Sequence, residues 1–203
     1  ADEAPRQIYY SVGTSTADLQ VAANVSITGG VATFSVAQSG IIGVGDKLIA
    51  GGNTYYISGR TSSTVYNVRT ATGAVPTDLG STAVTSITRT FNSMFAAEAG
   101  AGGASYLNQT DLIAGNYVLN IACYNDGVDT VVQNAGLGVS IDGWTTGYNN
   151  FIKIYTPFSP SEVGASQRHT GVAGTGYTYR PTLSASGVSF IDINENYVRL
   201  EGI

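Results

Sequence analysis

The stretch SFIDINENYVRLEGI, Ser189–Ile203, decides how this chain is read. Phe190, Val198, Leu200 and Ile203 are apolar residues of the kind strands favour, and no polar tail follows them. Only Asn194-Glu195-Asn196 separates two short strand patterns. A final strand of this kind leaves a sheet edge open to pairing. The expectation is that the edge is a joint, covered by a neighbouring molecule.

Working back from this end, NYVLNIACY, GVSIDGW, NFIKIYTPF and SGVSFIDI are short alternating strands between irregular loops rich in Gly and Asn. Leu119, Ile121 and Cys123 fall on one face and Val118, Asn120 and Ala122 on the other. Variable corners between short strands are what stacked parallel strands allow. Residues 90–115 break the pattern. Phe91, Met94, Phe95 and Glu98 lie at helical spacing, Thr90 or Asn92 offers a cap, and Gly100 offers a stop.

The first part reads differently again. VATFSVA follows NVSI across Gly29-Gly30, a tight hairpin signal. Strands near 46–50, 54–59 and 64–70 and then STAVTSITRTF complete a small antiparallel barrel or sandwich. The fold class is therefore all-β: residues 1–89 as barrel or sandwich, and residues 90–203 as a short helix plus stacked strands of β-helix type. An alternative reading joins the two parts in one continuous domain. In the pairs Tyr9-Tyr10 and Tyr55-Tyr56, alternation sends one ring to the core and the other to the surface.

Composition narrows the function classes. Charged residues make up 11% of the chain, hydrophobic residues 43%, and 26 residues are glycine. A net charge of -5 with scattered basic residues excludes a nucleic-acid footprint. A surface this weakly charged is poorly defended against self-association. The opening ADEAPRQ has the look of a mature end after signal cleavage, which points to a secreted or cell-surface protein. No run is apolar for long enough to insert in a membrane as a helix.

NIACYNDG, IDGWTTGYNNFIKIYTPF, SEVGASQRHTGVAGTGYTYRP and FIDINENYVRLEGI, taken in order, resemble a segment of bacterial secreted and surface proteins. In that group the segment leads into a right-handed parallel β-helix. The resemblance spans roughly residues 85–203 and implies architecture, not activity.

Catalytic chemistry has thin support. His169 is the sole histidine and no Gly-x-Ser-x-Gly elbow accompanies it. Cys123 is the sole cysteine and sits in an apolar strand, where a thiol packs as a small hydrophobe. Asp192, Glu195 and Glu201, or Asp126 and Asp129, would have to supply an acid and base for sugar cleavage. Solvated turns are the simpler reading. DINENY departs from a calcium loop at Tyr197 and Ile203, and YNDGVD with Asn125, Asp126 and Asp129 is a weak structural-calcium candidate. No cofactor is expected. Trp144 reads as a loop anchor, Lys47 and Lys153 as ordinary lysines, and Asn24 and Asn108 satisfy the glycosylation sequon.

The expected function is a secreted structural protein with no enzymatic activity: a self-assembling subunit of an extracellular filament, pilus-like fibre or surface layer. Copies would join head to tail, the N-terminal strand adding to a neighbour's sheet. Ile8, Tyr9, Tyr10, Val12, Val198, Leu200 and Ile203 would form the contact. The alternative is a β-helix module or adhesin that binds or cleaves surface glycans.

Overall fold

The computed structural model describes residues 3–133, 137–183 and 188–203. Its strands β1 to β7 are Arg6–Val12, Asn24–Thr28, Val31–Phe34, Lys47–Ala50, Asn53–Arg60, Val65–Arg69 and Leu79–Thr88. Helices α1, Met94–Gly100, and α2, Leu112–Gly115, follow. Strands β8 to β14 are Tyr117–Cys123, Val128–Asp129, Val139–Ile141, Ile152–Tyr155, Thr178–Tyr179, Ile191–Ile193 and Val198–Glu201.

Strands β2 to β7 close into an antiparallel barrel in the order β2-β3-β6-β5-β4-β7. Gly29 and Gly30 both take positive φ, +58° and +80°, which the tight turn between β2 and β3 demands. Alternation fills the interior with Val25, Ile27, Phe34, Leu48, Tyr55, Ile57, Tyr66 and Val68. Closure leaves no backbone edge on this unit.

The N-terminal strand does not join the barrel, which corrects the expected boundary. β1 pairs in parallel with β8, Arg6 opposite Tyr117 through Val12 opposite Cys123. The sheet continues as β1-β8-β11-β14, all parallel. Its inward ladder places Ile8, Leu119, Ile152 and Val198 in one row and Tyr10, Ile121, Ile154 and Leu200 in the next. β12 pairs with β9 and β13 with β10, again parallel. The chain thus visits three sheets in a fixed cycle: β8, β9, β10, then β11, β12, β13, then β14.

Helix α1 starts later than the sequence suggests. Ser93, not Thr90 or Asn92, is the cap, its side chain accepting from the Ala96 N–H. Phe91 is instead extended and bridges Val12. α2 is capped by Asp111.

The two units share a core. Tyr56 points out of the barrel but is 5% exposed, and it belongs to the cluster that holds Ile8, Tyr10, Phe91, Met94, Leu119 and Ile121. The expectation of a surface ring at the Tyr55-Tyr56 pair fails here, because the outer wall of β5 is itself covered. Tyr10 lies among Tyr56, Phe91 and Tyr106 with ring centroids 5.2, 5.8 and 5.5 Å away, in edge-to-face geometry.

Candidate assembly surface

The four-stranded sheet has two edges that differ in kind. At the β1 edge the barrel and the segment that follows it supply partners toward the end of the strand. Ser11 donates its N–H to Gly45 O (2.9 Å), Gly13 donates to Phe91 O (3.1 Å), and the Tyr10 hydroxyl donates to Ala71 O (2.7 Å). The tail before β1 is tied as well, since Asn116 Nδ2 donates to Glu3 O.

At the other edge, β14 pairs only with β11 among the described residues. β12 and β13 are likewise outermost in their sheets. Tyr179, Phe190, Ile191, Leu200, Gly202 and Ile203 surround a concavity of about 300 Å³ between these three strands. Phe190 is 54% exposed, and Leu200 and Ile203 are each 42% exposed. The surface combines unpaired backbone with apolar side chains, the pairing that edge strands normally avoid.

The proposed contact residues therefore fall in two groups that the fold keeps apart. Val198, Leu200 and Ile203 lie at the open end, with Val198 half-buried against the core. Ile8, Tyr10 and Val12 are buried inside the same molecule, and Tyr9 is half-buried beside Tyr155 and Val163. Giving β1 to a neighbour would strip this chain's own core, so β1 is not a free donor strand.

The acidic candidates disperse. Glu195 accepts from the Trp144 N–H (2.8 Å), Glu201 pairs with Lys153 (3.0 Å), and Asp192 is exposed. Asp129 is fully buried and accepts from the Met94 N–H (2.7 Å), the Tyr177 hydroxyl (2.6 Å) and the Val131 N–H. Asp126 binds Arg89 through Nε (2.7 Å) and Nη2 (2.9 Å), while Arg89 Nη1 reaches both Asp46 oxygens at 2.8 Å. Asp126 and Asp129 thus face different protein partners, and the Asn125 N–H donates to Gln167 Oε1. Among the described residues no group of three or more His, Cys, Asp or Glu converges as a metal site would.

The remaining candidates are placed simply. His169 is exposed, its Nδ1 accepting from the Gly171 N–H. Trp144 is 7% exposed and packs in the core. Asn24 and Asn108 are exposed at their sequons. The Cys123 thiol is fully buried, and burial together with the Asp129 charge pushes its pKa up. Sequence reasoning missed Arg89. Its guanidinium also lies 3.6 Å from the Tyr124 ring centroid, yet its two acids are 43 and 37 residues away in sequence. Compared with models of known families, with curated proteins and with solved structures, the chain matches none.

Proposed function

We propose that this chain is a structural module that works outside the cell, where its open end joins copies of itself into a fibre or surface layer. The parallel strands read as the first rungs of a right-handed β-helix, a reading supported by the fixed three-sheet cycle. The observation that carries the function is the asymmetry of the ends. At the β1 edge Ser11 and Gly13 find backbone partners in Gly45 and Phe91, while among the described residues β14 pairs only with β11 and Phe190, Leu200 and Ile203 are exposed. Burying an exposed Leu or Phe is worth about 1.5–3 kcal/mol, and backbone pairing along β14 adds direction to that gain.

Light scattering on the eluting protein at rising concentration, with negative-stain microscopy, tests the reading. Association that grows with concentration is expected, and Ile203→Lys, beyond the paired residues of β14, should weaken it at least about tenfold while leaving the urea midpoint nearly unchanged. A monomer that persists at high concentration overturns the proposal.

A further inference from the structure

A second feature, independent of the open end, lies at the joint between β1 and the outer wall of the barrel. Arg6, Tyr9, Ser58, Asn67, Arg69 and Gly73 line a cleft of about 320 Å³. We propose that this cleft binds an acidic sugar residue, one carrying a carboxylate or sulfate, within a glycan chain.

Charge is the first argument. The chain has 14 acidic residues against 9 basic ones, yet this cleft holds two arginines and no acid. Among the described residues neither arginine has a carboxylate partner, because the ion pairs are Arg89–Asp46, Arg89–Asp126 and Lys153–Glu201. Backbone carbonyls hold both guanidinium groups. Arg69 Nη1 donates to Val68 O (2.7 Å) and Gly30 O (3.3 Å), and Arg6 Nη1 donates to Thr72 O (3.2 Å). These anchors fix the side chains and leave other N–H donors unused. A guanidinium held this way presents a planar fork that matches carboxylate and sulfate oxygens.

The second argument is what accompanies the charge. Tyr66 and Val68 point into the barrel, so Asn67 and Arg69 point out on the cleft side. Ser58 sits where the β5–β6 register shifts between Ile57 and Gly59, a bulge that re-aims the strand locally. Neither the Ser58 hydroxyl nor the Asn67 amide is hydrogen-bonded to another described residue, so both remain available to sugar hydroxyls. Tyr9 adds a ring on which the C–H face of a sugar can rest. Gly73 completes the wall. Its φ is +74°, and a Cβ there would come within 2.7 Å of Arg6 Cδ, so glycine leaves the room the arginine stem fills. A bare inorganic anion would leave most of this volume and these neutral donors unused.

Calorimetric titration with trigalacturonate at low salt is the test, with a sulfated disaccharide run in parallel to identify the acid group. Saturable binding to one of the two is expected, weakened as salt rises toward about 0.5 M. Arg69→Gln and Arg6→Gln should each lower affinity about tenfold or more, and Arg199→Gln, at the open end, should not. Asn67→Ala should weaken binding while leaving its salt dependence unchanged, which covers the case where an arginine variant is unstable. The proposal is overturned if neither sugar saturates, if Arg69→Gln and Asn67→Ala bind as the parent does, or if polyglutamate of equal charge binds as tightly.

Discussion

Arg89 is 5% exposed, and its charge is met by two carboxylates from opposite sides of the joint, Asp46 beside β4 and Asp126 after β8. Burial works against the guanidinium, and Asp46 and Asp126, with the neighbouring Tyr124, together more than offset it, so the Arg89 pKa is pushed up. Arg89→Met leaves a fully buried Asp46 without its partner and should cost about 3–5 kcal/mol in urea unfolding. Asp126→Asn keeps one of two acceptors, turns an amide N–H toward Arg89 and leaves Asp46 in place, so it should cost less than Arg89→Met, about 1–3 kcal/mol. Glu98 behaves in the opposite sense. Burial raises its pKa above 4.5, although the Asp142 N–H and the Trp144 side chain act to lower it. The folded state therefore holds that proton more tightly than the unfolded chain does. Its contribution is fully present below the unfolded pKa and is lost as pH rises through the folded one. Glu98→Gln should match the parent in acid and exceed it increasingly toward neutral pH, read from urea midpoints at several pH values. Neither role shows in the sequence, since Arg89 sits in an ordinary strand pattern, TSITRTF, and its partners are far away along the chain.

Among the elements, β1 decides most. Its alternation was legible, and Ile8, Tyr10 and Val12 do share a face. Its partner was not, because Arg6 pairs with Tyr117 across a separation that no local pattern encodes. Apolar periodicity reports that a face is covered, not by what. Hairpin strands were easier: the turn at Gly29-Gly30 links neighbours, and glycine's positive φ leaves a mark in the sequence. At the other end Phe190, Leu200 and Ile203 read as apolar in the sequence, but Phe190 precedes β13 and Leu200 lies in β14, so the stacking of separate sheets, not alternation, brings them round one concavity. Deleting residues 3–12 should consequently abolish cooperative folding of the parallel sheets, seen as lost near-ultraviolet dichroism. Gly45→Ala offers a milder check. Its φ is +85°, and a Cβ there would collide with the Tyr10 backbone, so the barrel and β1 would be forced apart. A clear fall in the urea midpoint is expected, at least about 1–3 kcal/mol.

At the scale of the molecule, barrel and parallel sheets hold each other up. Tyr56 leaves one and enters the core of the other, where it meets Tyr10 and Tyr106. A single calorimetric transition is therefore expected. Tyr56→Ala removes the ring at a cost near that of other large-to-small core changes, about 3–5 kcal/mol, and should split the transition in two. The buried sulfur at Cys123 offers an intrinsic stopwatch for these events. Sealed at the centre of the sheet with its proton firmly held, it stays dark to a thiol reagent until the sheet opens. The rate at which the reagent colours the solution then measures how often the molecule breathes, with no label introduced and no second thiol to confuse the trace.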